Sequence, residues 1–110
     1  MKLLSRSEEM VLLAVWFLRE DAYCVPIREH LMKVTQKKWS FGSVYDPLDR
    51  LEKKKLLESS LSTPTKERGG RSKRIYRLTK RGEKALLEIR SIQETMWAGI
   101  PDIHPDTEKL

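Results

Sequence analysis

The chain has 110 residues, 39% of them apolar and 35% charged, with a formal net charge of +6. That is one soluble domain with a modest core; length alone excludes two-domain enzymes and long repeat arrays. The charge is not spread evenly: residues 63–81 hold eight basic side chains against Glu67 alone, and the rest of the chain sums to −1.

The longest apolar run, residues 10–18, is nine residues, where a membrane span needs about 20. Glu8 and Glu9 precede it, the wrong order for a secretory leader. The single cysteine, Cys24, cannot form a disulfide within the chain. These features predict a cytoplasmic protein with no membrane segment.

In chain order, the first helix is predicted to start near Ser5. Ser5 and Glu8 have capping-box spacing, and the pair Glu8-Glu9 reads as solvated. Residues 10–18 are apolar on every face, the mark of a buried helix. A second helix is predicted to open at Val25-Pro26, where proline suits the first turn. Ile27, His30, Leu31 and Val34 then follow i, i+3, i+4, i+7 spacing.

Residues 39–42 make a short joint, with Ser40 or Ser43 as the cap of a third helix. Val44, Leu48 and Leu51 are its inward stripe; Ser43, Asp46, Asp49, Arg50, Lys53 and Lys54 face outward. Pro47 either kinks this helix or marks its start, with Asp46 as cap, because an internal proline removes a backbone hydrogen bond. Residues 56–61 and 73–78 read as two strands of a hairpin, with residues 62–72 as its loop, punctuated by Pro64 and Gly69-Gly70. Thr79 caps a last helix running to Trp97 or Ala98. Ala85, Ile89, Ile92 and Met96 line it, widened by Leu86 and Trp97; Gly99 and Pro101 end it.

Three helices, a hairpin with a basic tip and a final helix make a winged helix-turn-helix. The fold class is mainly α, with a two- to three-stranded wing sheet. A short strand near Lys38-Trp39 would be the third. Residues 1–79 form the DNA-binding domain, 80–98 a dimerisation helix and 99–110 a flexible tail.

Residues 42–45 (Gly-Ser-Val-Tyr) followed by 48–52 (Leu-Asp-Arg-Leu-Glu), and residues 70–82 running from Gly-Arg-Ser-Lys through Tyr-Arg-Leu-Thr to Gly82, resemble the PadR-like transcriptional regulators. The likeness spans about residues 5–98 and fits the short type. It implies a homodimer joined through the last helix, bound to an imperfect palindrome of double-stranded DNA and acting as a repressor. The chain departs from the family in three places. Residues 23–27 read Tyr-Cys-Val-Pro-Ile, Pro47 stands one place late, and Lys55 replaces the glycine before the hairpin.

On DNA, the third helix would offer Ser43, Tyr45, Asp49, Arg50, Lys53 and Lys54 to the major groove. Tyr45 could equally pack inward, and Arg50 could pair with Asp46 or near Glu52. The wing would offer Lys66, Arg68, Gly69, Gly70, Arg71, Lys73 and Arg74 to phosphates and the minor groove. Leu86, Ile89, Ile92, Met96 and Trp97 exceed a narrow core stripe and would form the dimer interface, with the first helix beside them. Trp97, joined by Trp16, could stack on a flat small-molecule effector, although interface packing is the simpler role.

Two distant histidines and one cysteine lack metal-ligand spacing, and no catalytic constellation or phosphate loop is present. The reading is therefore no enzyme, no cofactor and no metal. The competing function is a winged-helix module that binds another protein, kept open by Asp46, Asp49 and Pro47.

Overall fold

The computed structural model describes residues 2–62 and 72–103. In order it has α1 (Arg6–Leu18), a single 3-10 turn (Arg19–Asp21), α2 (Cys24–Thr35), α3 (Phe41–Lys53), β1 (Leu57–Leu61), β2 (Arg74–Leu78) and α4 (Lys80–Trp97). The fold is a winged helix with a two-stranded antiparallel sheet among the described residues.

α1 begins as its sequence requires. The Ser5 Oγ accepts from the Glu8 N–H at 3.2 Å, and the Glu8 carboxylate accepts from the Ser5 N–H at 2.8 Å. This capping box satisfies two amides that the helix start leaves without partners. α2 starts at Cys24, slightly ahead of the expected Val25-Pro26. Pro26 then falls in the first turn, where a missing N–H is harmless.

α3 runs unbroken from Phe41, capped by Ser40, whose Oγ accepts from the Ser43 N–H at 3.0 Å. A start at Asp46 is thus excluded. Pro47 sits inside the helix and is fully buried. Its ring fills core space, which offsets the lost backbone hydrogen bond.

α3 ends in a Schellman turn. Leu56 N–H donates to Leu51 O at 3.0 Å and Lys55 N–H to Glu52 O at 2.9 Å. Lys55 adopts φ 63°, a left-handed conformation usually given to glycine. Leu51 and Leu56, the apolar pair of this motif, are both buried.

The core lies between α1, α2 and α3 and is closed by the sheet: Val11, Leu12, Val15, Ile27, Leu31, Val44, Leu48, Leu51, Leu57 and Tyr76. Each large side chain removed from water here contributes about 1.5–3 kcal/mol. The strands pair with Leu57 opposite Leu78, Ser59 opposite Tyr76 and Leu61 opposite Arg74.

Four expectations need correction. The third strand near Lys38-Trp39 does not form. On the free side of β2, the Tyr76 N–H instead donates to Ala22 O at 2.8 Å, while residues 38–39 belong to the turn before α3. Val34, assigned to the inward stripe of α2, is 60% exposed, because the helix reaches past the core before ending at Gln36. α1 is not covered on all sides: Leu13, Trp16 and Phe17 remain exposed. Glu8 is not solvated; it is 3% exposed.

The α4 junction is tightly specified. The Thr79 Oγ1 accepts from the Gly82 N–H at 3.0 Å and donates to Lys55 O at 2.7 Å. The Thr79 N–H donates to Leu56 O at 3.1 Å. Gly82 lies against that same carbonyl and has no room for a Cβ. The Leu-Thr-x-x-Gly pattern is therefore a docking joint between the α3–β1 turn and α4.

Candidate nucleic-acid interface

A recognition helix needs a rigid support and an open outer face. The support is the turn between α2 and α3. The Arg28 Nε donates to Trp39 O at 2.5 Å, and the same guanidinium lies 4.6 Å over the Phe41 ring. The Trp39 indole N–H donates to Thr35 Oγ1 at 3.1 Å, and Thr35 donates in turn to Leu31 O at 2.6 Å. One arginine from the first half of α2 thus joins the turn before α3 to the start of α3. Sequence reasoning passed over Arg28, since nothing local marks an arginine for a carbonyl eleven residues on.

The outer face of α3 carries exposed Ser43, Tyr45, Asp46 and Asp49. Tyr45 is 51% exposed, with its hydroxyl beside the Cys24 thiol. It neither packs fully inward nor stands clear. Burial pushes the Cys24 thiol above its ordinary value. Repulsion from Cys24 and partial loss of water raise the Tyr45 hydroxyl likewise.

The cations of α3 are all engaged. Lys53 pairs with Asp49 at 3.0 Å on the exposed helix surface. Lys54 Nζ reaches Glu8 Oε2 at 2.7 Å, and Arg50 Nε reaches the same oxygen at 3.4 Å. The partner of Arg50 is therefore Glu8 of α1, not Asp46 or the neighbourhood of Glu52. Burial alone would raise the Glu8 carboxyl. The Lys54 hydrogen bond, the Ser5 N–H and the Lys54 charge outweigh it and bring the pKa to about 2.

The base of the wing meets this face. Lys73 and Arg74 share a small cavity with Tyr23, Cys24, Tyr45 and Tyr76. The Lys73 ammonium lies 3.9 Å over the Tyr23 ring, and Arg74 Nη1 donates to Ser59 Oγ at 3.0 Å. Arg77 is held by Glu58 at 2.7 Å, which removes it from the basic surface. Lys66, Arg68, Gly69, Gly70 and Arg71 lie outside the described residues, as does the tail from residue 104. Lys37 and Lys38, missed in the sequence, are exposed just ahead of Ser40 and make no ion pair among the described residues.

At the other end of the molecule, Leu86 and Ile89 are half-buried, whereas Ile92, Met96 and Trp97 are exposed, the last two by 62% and 58%. Every residue of 91–97 is exposed. Leu87, outside the stripe expected for this helix, is 67% exposed. An open groove of about 920 Å³ runs between α1 and α4. Met10, Leu13, Trp16, Leu86, Leu87 and Trp97 line it, so Trp16 and Trp97 do share one surface.

His30 is half-buried and stacks on Phe17 at 4.4 Å. No group of three His, Cys, Asp or Glu stands together among the described residues. No helix among them is long and apolar enough to cross a membrane.

No curated protein matches the chain. Several solved structures share its fold. RosR of H. salinarum has 22% identity over 90% of this chain and 82% of its own, with a TM-score of 0.68. A PadR-like transcription factor from Bacteroides fragilis has 24% identity over 83% of this chain and 85% of its own, with a TM-score of 0.66. A PadR family transcriptional regulator from Eggerthella lenta has 24% identity over 82% of this chain and 76% of its own, with a TM-score of 0.65. The transcriptional regulator PadR-like family model matches residues 12–88. This chain therefore belongs to the PadR-like family and is a DNA-binding transcriptional regulator, not an enzyme.

Proposed function

We propose that the protein acts in the cytoplasm as a homodimeric repressor that occupies an imperfect palindrome in promoter DNA. The observation that carries this reading is the uncovered half of α4. Residues 91–97 are all exposed, and Ile92, Met96 and Trp97 among them form an apolar stripe at the end of an 18-residue helix. Such a face on a small monomer calls for a partner. A second copy supplies the same face by two-fold symmetry, and two-fold proteins read palindromes.

In this reading residues 1–79 form the DNA-binding unit and residues 80–98 the dimerising one. Ser43, Tyr45, Asp49 and Lys53 of α3 face the major groove, with Arg50 and Lys54 behind them. Lys73 and Arg74, together with Lys66, Arg68, Gly69, Gly70 and Arg71 outside the described residues, serve phosphates and the minor groove. Repression is the outcome that family membership supports. Trp16 and Trp97 serve first as interface anchors. A fluorescence change with flat organic cations would add an effector to that role.

The test is fluorescence anisotropy with DNA from upstream of the protein's own gene against a scrambled duplex. Preference of ~10³ or more supports sequence-specific repression, with autoregulation as its consequence. Equal binding that salt abolishes leaves a nonspecific clamp. No binding at low salt favours the protein-interaction module, which the paired cations of α3 would suit.

A further inference from the structure

DNA-binding surfaces gain nonspecific affinity from every unpaired cation that displaces a counterion. α3 carries no surplus of them. From Phe41 to its C-cap Lys54, three acids (Asp46, Asp49, Glu52) balance three bases (Arg50, Lys53, Lys54). Glu8, brought in from α1, makes the cluster net negative.

Glu8 is not a surface acid that happens to lie nearby. Its side chain is 4% exposed, and both carboxylate oxygens are in use: one accepts from the Ser5 N–H, the other from Lys54 and Arg50. The cations are far more accessible, 39% exposed for Lys54 and 48% for Arg50. Their heads thus stand at the surface while their charge is answered from within.

We infer that Glu8 is a positioning residue that sets the sequence-independent part of the affinity: it holds Arg50 and Lys54 against α1 and withdraws their charge from the phosphate backbone. α3 then reads bases as a nearly neutral helix, and sequence-independent attraction falls to the wing. This rests on the DNA-binding reading above. Withdrawing charge lowers binding to every duplex about alike while leaving base contacts intact, so the share of the affinity that salt can abolish falls. Glu8 also fixes α3 on α1 from the two ends of a short bridge, since its oxygens reach Ser5 of α1's cap and two residues a turn apart on α3.

The experiment is a salt titration of binding to the preferred and the scrambled duplex. It compares the wild type, Glu8→Gln and Lys54→Met, each first checked by circular dichroism to be folded at the assay temperature. Wild type with only wing contacts should give a slope of log affinity on log salt of about −7 to −9 for the dimer. Glu8→Gln keeps the cap's hydrogen-bonding capacity and releases up to two cations per subunit. Its slope should steepen by about 2 to 4, with the scrambled and the preferred duplex gaining about alike. A slope unchanged within about 1, or a shallower one, overturns the inference.

Should Glu8→Gln not fold, Lys54→Met carries the test, because Arg50 still pairs the buried carboxylate. Its slope should stay within about 0.5 of wild type; a loss of about 2 would show Lys54 already on phosphate and overturn the proposal. Absence of wild-type binding at every salt would instead remove the DNA reading itself, a distinguishable failure.

Discussion

Replacing Gly82 by alanine should destabilise the protein, although alanine is the better helix former. The new Cβ would fall well inside contact distance of Leu56 O, with Leu56 C at 3.1 Å and Leu78 Cγ at 3.3 Å. The obstacle is backbone and cannot rotate away. Either α4 shifts or the α3–β1 turn opens, and both routes strain the bonds that meet there. These are Thr79 N–H to Leu56 O, Thr79 Oγ1 to Lys55 O and the Thr79 cap on Gly82. Losing one hydrogen bond costs about 1 kcal/mol and weakening the cap about another. Overpacking adds about 1–3 kcal/mol, and the helix propensity of alanine returns about 1. The net loss is about 2–4 kcal/mol, a large share of the ~5–15 kcal/mol that holds a small domain together.

Gly42→Ala is the matched control. It lies in α3, and its nearest neighbour is the Ser40 Oγ at 3.9 Å, an ordinary contact distance. There alanine should stabilise by up to about 1 kcal/mol. Urea unfolding of both variants at one protein concentration, which holds any dimer contribution fixed, reads the two signs directly. Equal and favourable effects at both glycines would refute the close-approach argument.

Glu8 should make stability depend on acid. Its folded pKa of about 2 lies below the ordinary 4.5, so its contribution is full above 4.5 and is lost as pH falls toward 2. Relative to Glu8→Gln, wild type should lose about 2 kcal/mol of a roughly 3 kcal/mol advantage between neutral pH and about pH 3; parallel pH profiles would exclude the ion cluster as the source. Lys55→Gly should raise the urea midpoint, gaining up to about 1 kcal/mol by relieving a left-handed residue, and a lowered midpoint would show that the lysine stem packs usefully. Met96→Glu should convert a micromolar dimer to monomer in sedimentation and weaken palindrome binding with it; a dimer that persists would move the interface elsewhere.

Much of this architecture was written in local signals. Ser5 and Glu8 marked one cap, Thr79 another, and the Val44–Leu48–Leu51 stripe set which side of α3 faces the core. The basic hairpin and the apolar excess on α4 were equally plain, because charge and period are properties of neighbours in sequence. What stayed hidden depends on distance. Glu8 meets Arg50 and Lys54 from 42 and 46 residues away, and no spacing rule announces such a partner. The edge of β2 illustrates the same limit. A strand at residues 38–39 fits a general plan, but the Trp39 carbonyl accepts from the Arg28 side chain and Ala22 takes the edge of β2 instead. α1 misled for a different reason: Leu13, Trp16 and Phe17 read as core because apolar side chains look alike whether their cover comes from the same chain or another. The lysine at position 55 was legible as a departure, and its positive φ shows that the turn kept its shape without its glycine.

The joint at Leu56 has a meaning beyond stability. α4 is about 27 Å long at 1.5 Å per residue, and it leaves the domain from a point fixed by Thr79 and Gly82. In the proposed dimer that helix is the arm between the symmetry axis and the reading head. A tilt of about 5° at the joint moves the far end by about 2 Å, a sizeable fraction of the rise between stacked base pairs. Operator spacing would then be gauged by one backbone carbonyl, and changes around residues 55, 56, 79 and 82 would alter which spacer length is accepted before they alter which bases are read.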